Sequence, residues 1–302
     1  MKVDFNPRPI IKLLNMQKVR AKKNLGQHFL VNEEIARRIA YALQTDGAAS
    51  GINTVEVDSR QEALHPLNTV EVGSRQEALH PLNTVEVGCG MGVLTKYLLE
   101  RNDLFLKGIE IDTESIEYLR ENLPRLTPNL YEADFLKMDL RKMFPSGDIA
   151  IIGNFPYNIS SQIFFKVIDC KEYVPQVVGM VQKEVAERIA SPAGNKSYGI
   201  LSVLLQAWYD IEYLFTVGEH EFSPPPKVKS AVIRLRRNGR TSLGCDEVLF
   251  KQVVKTSFNQ RRKTLRNSLR PLTDSVPEEF AGLRPEQLGV EEFVSLTRAL
   301  QK

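Results

Sequence analysis

Cysteine is scarce in this chain of 302 residues. Cys89, Cys170 and Cys245 are odd in number, far apart, and form no Cys-x-x-Cys pair. A disulfide framework and a cysteine-rich zinc site are therefore not expected. Histidine is nearly as rare, at four residues, and two of these, His65 and His80, are copies of one another inside a repeat. That speaks against a histidine-built metal site or catalytic triad. No apolar run approaches the roughly 18–20 residues that a membrane span requires. Charges from Lys2 and Asp4 onward leave no signal-peptide core. The expectation is a cytoplasmic protein with no metal and no membrane contact, and nothing asks for more than a monomer.

What is present is basic charge, placed unevenly. Residues 1–23 hold seven Lys/Arg against Asp4, and residues 227–270 hold thirteen against Asp246 and Glu247. The two stretches carry half of the 40 basic residues, while 271–302 turn slightly acidic. Cations concentrated in this way suit a phosphate backbone, so a nucleic-acid partner is expected.

Hydropathy periodicity points to an α/β fold. Ile35, Ile39 and Leu43 share one face of a helix expected over 32–44, with Asn32 as its cap and Glu33 and Glu34 complementing its N-terminus. Strand-like runs at 84–87, 104–111, 129–133, 149–153 and 174–181 then alternate with helical runs at 92–101, 114–122, 160–168 and 183–190. Such alternation implies a mostly parallel sheet covered on both faces. Two β-branched runs, 209–217 and 228–236, are separated by too little chain for a crossover helix and should pair antiparallel. From about Asp246 the chain turns helical and basic, which marks a small C-terminal helical domain with its boundary in 238–245.

One repeat interrupts this pattern. Residues 53–67 recur at 68–82 with a single change, Asp58 to Gly73, and the first five residues of the unit return again at 83–87. Strand propensity cannot choose among three copies, but the glycines can. Only the third copy runs into Gly88, Gly90 and Gly92, so 83–88 is expected to form the strand, with 46–82 a protruding insertion.

That glycine turn sits where a strand passes into a helix. Gly88 allows the tight turn, Gly90 lets the backbone approach a bound nucleoside and its amino-acid tail, and Gly92 admits close helix packing. Val93 stands where a dinucleotide fingerprint has its third glycine. Glu110, about twenty residues on at a strand end, suits acceptance of ribose hydroxyls. Asp134 lies at the same rim, placed to accept from an adenine amine, with Phe135 flanking the ring.

Asn154-Phe155-Pro156-Tyr157 follows the next strand. Adenine's amine is a poor nucleophile, because its lone pair is delocalised into the ring. The side-chain oxygen of Asn154 and the backbone carbonyl of Pro156, each accepting one amine proton, would return electron density to nitrogen and orient it. Tyr157 offers a face for a flipped-out base. Methylation makes the amine acidic, so no strong base is required. These residues point to amino-methyl transfer.

In these motifs the chain resembles the ribosomal RNA adenine dimethyltransferases, and within them the bacterial small-subunit type. The resemblance runs over about residues 20–270. It includes Asn24-Leu25-Gly26-Gln27-His28-Phe29-Leu30, the glycine turn, Asn154 to Ser160, Phe222 to Val228, and the basic run Phe258 to Asn267. It implies a Rossmann-like class I methyltransferase sheet over 32–240, preceded by a basic segment (1–31) that carries part of the cofactor site. A helical RNA-binding domain would occupy 241–302. The implied methyl donor is S-adenosylmethionine, held by His28 and Leu30 beside Gly88, Gly90, Glu110, Asp134 and Asn154. The implied catalytic set is Asn154, Pro156, Tyr157 and Phe222, with Phe222 closing on the target adenine opposite Tyr157. The implied reaction is dimethylation of two adjacent adenosines in the 3′-terminal helix loop of small-subunit rRNA, on immature 30S subunits. His28, Cys89 and Phe155 depart from the residues frequent in that family (Asn, Pro and Leu). The alternatives are a large-subunit rRNA methyltransferase of the macrolide-resistance type, a DNA adenine methyltransferase, and a non-catalytic ribosome-assembly factor.

Overall fold

The computed structural model describes residues 19–22, 25–45 and 80–301. Its strands are β1 (Phe29–Leu30), β2 (Leu82–Val87), β3 (Leu104–Glu110), β4 (Leu130–Glu132), β5 (Ile149–Asn154), β6 (Gln176–Gln182), β7 (Tyr209–Val217), β8 (Phe222–Ser223) and β9 (Ser230–Arg237). Its α-helices are α1 (Glu33–Ala42), α2 (Thr95–Leu98), α3 (Thr113–Asn122), α4 (Leu140–Met143), α5 (Ser160–Asp169) and α6 (Lys183–Ala190). They continue with α7 (Ile200–Gln206), α8 (Glu247–Asn259), α9 (Leu265–Ser268), α10 (Glu278–Ala281) and α11 (Val290–Leu300).

Seven strands form one sheet in the order β4-β3-β2-β5-β6-β9-β7. The first five run parallel, and β9 and β7 pair antiparallel at the end, as the short connection between them requires. Strands β5 and β6 are buried on both faces and read as continuous apolar runs, the pattern of a covered parallel sheet. Edge strand β7 is half exposed and carries Asp210 and Glu212, charges that discourage further pairing. Successive side chains of one strand enter opposite layers. Ile149 and Ile151 join the layer of α5, α7 and the C-terminal helices, whereas Ala150 and Ile152 join the layer of α1. Phe250, Val253 and Phe293 of α8 and α11 belong to the first of these layers, so the C-terminal helices share an apolar cluster with the sheet.

Asn32 caps α1 as its position suggests, accepting from Ile35 N at 3.1 Å. The third copy of the repeat forms β2, between β3 and β5. Of the insertion expected at 46–82, residues 46–79 lie outside the described residues, and Leu82 already belongs to the strand. The helix expected over 92–101 shortens to Thr95–Leu98. Gly88, Gly90 and Gly92 all have positive φ (74°, 52° and 74°), so the chain cannot enter a right-handed helix until it has left them. Helix α7 was not anticipated, because its run Ile200–Leu205 is apolar on nearly every side and carries no helical period.

Candidate active site at the carboxyl ends of the strands

Strands β3, β2 and β5 end at one level, since Val87 pairs with Ile109 and Glu86 with both Gly108 and Ile152. The chain leaves β2 in one direction, for β3 and β4, and returns on the other side as β5. At such a reversal an open parallel sheet leaves a crevice. A cleft opens there, walled by both polar and apolar groups. Its walls contain His28, Gly88, Gly90, Glu110, Asp134, Asn154, Pro156 and Tyr157. Leu30 borders a smaller hollow next to Gly88, Gly90 and Asn154. Phe222 is not among the residues that line either hollow. It is 3% exposed, its backbone pairs with Leu30, and its side chain belongs to the apolar layer of Leu30 and Ile39.

Glu110 closes β3 and is 4% exposed. Its Oε1 accepts from Ile111 N (2.8 Å) and Asp112 N (2.9 Å), and its Oε2 from Gly90 N (2.8 Å). The carboxylate thus ties the glycine turn to the end of β3. Burial raises its pKa, against the pull of these three backbone donors. A carboxylate has about four lone-pair sites, so one, on Oε2, is left for a ligand hydroxyl. Asp134 heads a short 3-10 turn, Phe135–Lys137, with its Oδ1 accepting from Leu136 N at 3.0 Å. Phe135 is buried and lines the cleft beside it.

Asn154 is the last residue of β5 itself, where the sequence had placed it just beyond the strand. Its amide Nδ2 donates to the backbone carbonyl of His28 at 2.9 Å. A carbonyl only accepts, so the amide orientation is fixed by chemistry, and Oδ1 has no donor among the described residues. The carbonyl of Pro156 accepts from Ile159 N at 3.1 Å, which leaves its second lone pair. Tyr157 bonds through its hydroxyl to Ser230 Oγ, and its ring lies 5.4 Å from that of His28. Burial raises the Tyr157 pKa, and the Ser230 bond opposes it. His28 Nδ1 meets the carbonyl of Pro224 at 2.9 Å and therefore carries the proton there.

Two structural supports were missed in the sequence. Phe155, fully buried, lies over Gly179 of β6, where a Cβ would stand 2.5 Å from its ring. This wedge fixes the loop between Asn154 and Tyr157, and the glycine in an apolar strand was its only signal. Asp112, 2% exposed, binds the Lys22 ammonium, Gln27 Nε2 (3.3 Å) and Ser115 Oγ (2.9 Å). Burial pushes Asp112 up, but Lys22, Ser115 and Gln27 outweigh it and hold the group low. This cluster fastens the segment that lines the cleft at His28. Glu86, 1% exposed, has Oε2 without a partner among the described residues. Among the described residues no three His, Cys, Asp or Glu side chains gather to hold a metal.

Residues 18–281 match the family described as ribosomal RNA adenine dimethylase. The chain is 52% identical over 292 residues to ribosomal RNA small subunit methyltransferase A of Parabacteroides distasonis, covering 95% of this chain and 96% of that protein. Its fold is similar to the crystal structure of a dimethyladenosine transferase from Plasmodium falciparum. That likeness has a TM-score of 0.64 at 24% identity, covering 89% of this chain and 96% of the other. It is also similar to the 23S rRNA methyltransferase ErmE, with a TM-score of 0.60 at 22% identity, covering 91% and 100%. At these identities the two crystal structures speak for the fold alone.

Proposed function

The chain belongs to the ribosomal RNA adenine dimethylase family, and from that premise we propose that it dimethylates two adjacent adenosines in the 3′-terminal helix loop of small-subunit rRNA. The small-subunit target is favoured over a large-subunit one by the 52% identity over nearly the whole chain. The observation that carries the chemistry is the Asn154 amide, with its nitrogen engaged by His28 O and its oxygen left open.

The cleft suits S-adenosylmethionine, because it offers a few convergent acceptors in a largely apolar wall. Glu110 Oε2 would take a ribose hydroxyl, Asp134 Oδ2 the adenine amine, and the Gly88–Gly90 turn with His28 and Leu30 the amino-acid end. When bound, the donor supplies an electrophilic methyl group on a sulfonium centre. Asn154 Oδ1 then accepts one proton of the target amine and the Pro156 carbonyl the other, which holds the nitrogen lone pair toward the donor side of the cleft. Tyr157, with its hydroxyl tied to Ser230, presents its ring to the flipped base. The proton of the methylated amine leaves to solvent, since the cationic nitrogen is acidic. Arg262, Lys263 and Arg270 are exposed, with no ion-pair partner among the described residues, and would meet phosphates on the immature 30S subunit. A cytoplasmic location follows from that partner.

The test is transfer of labelled methyl groups to immature small subunits, large subunits and DNA, followed by digestion to nucleosides. Label in dimethyladenosine from two adjacent positions of small-subunit rRNA is expected. Label confined to large-subunit rRNA or to DNA would overturn the substrate. Tight binding to small subunits with no label would replace the enzyme by an assembly factor.

A further inference from the structure

The turn that brings Asp134 and Phe135 into the cleft is only three residues long, and a single 3-10 turn is weak by itself. On the cleft side Asp134 Oδ1 holds it through Leu136 N. The carbonyl of Leu136 within the turn and that of Met138 just after it share a single donor. Lys166 Nζ, on α5, donates to Leu136 O at 3.1 Å and to Met138 O. The same ammonium lies 5.1 Å from the centre of the Phe135 ring, where a cation is attracted to the π face. An ordinary surface lysine would seek a carboxylate, and Asp169 stands one turn along α5. Asp169 is bonded instead to Lys251, and Lys166 turns to the two carbonyls. Helix α5 also continues directly from the loop of Asn154 and Tyr157, so this one side chain joins the target-base loop to the Asp134 turn.

We propose that Lys166 is a positioning residue for cofactor binding, setting Asp134 and Phe135 at the adenine end of the cleft without touching the cofactor. The inference rests on the reading of this cleft as the S-adenosylmethionine site. A lysine is suited to the task because its three donors on a long stem serve both carbonyls from one point.

The experiment is calorimetric binding of S-adenosylhomocysteine to the full chain, with Lys166→Met, Lys166→Arg, Asp134→Ala and the double variant Lys166→Met/Asp134→Ala. Lys166→Met keeps the stem and removes the donors, and should weaken binding by about tenfold, with Lys166→Arg restoring it to within about threefold. In the Asp134→Ala background the Met substitution should add less than about twofold, because both act on one contact. In turnover, KM for the donor should rise in the Met variant far more than kcat falls. If the parent chain binds no S-adenosylhomocysteine, the reading of the cleft fails. If the parent binds and Lys166→Met binds equally well, or the two losses simply multiply in the double variant, the role given to Lys166 is wrong. Should Lys166→Met melt too low to assay, Lys166→Gln, which keeps an N–H₂ donor on a shorter stem, is expected to give an intermediate loss, and parental binding by it would overturn the proposal.

Discussion

β3 and β5 flank the same strand and each ends in a polar side chain, yet Glu110 and Asn154 are supplied with partners in opposite ways. Glu110 accepts three backbone N–H groups and keeps one site open. Asn154 uses its nitrogen on His28, and its oxygen has no donor among the described residues. Asn154 is half-buried at the wall of the cleft, so its oxygen can accept from a donor that arrives there. In the proposed reading Glu110, with most of its sites filled, shapes the site, and Asn154 meets the reacting atom.

The largest effect that can break this contrast is the loss of the open acceptor. Asn154→Ala should lower turnover by roughly 10²–10³-fold, the scale of removing one preorganised polar group, with S-adenosylhomocysteine affinity within a few-fold of the parent. Turnover close to parental would move Asn154 into the structural class with Glu110.

Glu86, near the end of the strand between them, extends the comparison to a buried carboxyl whose Oε2 has no partner among the described residues. Burial outweighs Thr95 and Cys89 and lifts its pKa from 4.5 to about 7. Because the folded value lies above the unfolded one, its contribution to stability is complete below about pH 4.5 and is lost as pH rises through 7. At 1.36 kcal/mol per unit the loss is on the order of 3 kcal/mol. Glu86→Gln should therefore melt above the parent at pH 8, with the two converging toward pH 4.5. Parallel melting curves across that range would show that Glu86 is charged in the folded protein.

A smaller effect belongs to Tyr157. Tyr157→Ala should remove a base stack of roughly 1–3 kcal/mol in kcat/KM for RNA, whereas Tyr157→Phe, losing only the bond to Ser230, should change it a few-fold. Equal losses in both variants would mean that the hydroxyl, not the ring, matters.

The smallest effect separates free from engaged cations in the C-terminal region. Arg261 bonds to Lys196 O and lies 3.9 Å from Glu286, and Arg266 pairs with Glu278. Reversing Arg262 and Lys263 should lower the slope of log affinity against log salt by about one unit each, and reversing Arg266 should lower it less. A larger change from Arg266 would show that its pair opens on binding RNA.

What the sequence made legible was local. The Asn32 cap, the ends of α6 and β7 and the choice of the third repeat copy all follow from neighbouring residues. Glu110, Asp134 and Asn154 were legible because strand ends of a parallel sheet converge, so position along the chain carried position in space. What stayed hidden depends on contacts between distant segments. Lys22 meets Asp112 across 90 residues, and no periodicity encodes that pair. The expected place of Phe222, opposite Tyr157, rested on resemblance alone. In this structure the pairing of β8 with β1 buries it beside Leu30.

The contrast between the two strand ends is tested most directly by measuring turnover of Glu110→Gln and Asn154→Ala side by side as the methyl donor is raised to saturation. Gln at 110 sets an N–H₂ against Gly90 N, so donor binding should weaken, and rising donor concentration should return most of the parental kcat. Asn154→Ala should stay low at every concentration. If saturating donor rescued Asn154→Ala, or left Glu110→Gln as inactive as the alanine variant, the division between a residue that shapes the site and one that meets the reacting amine would be contradicted.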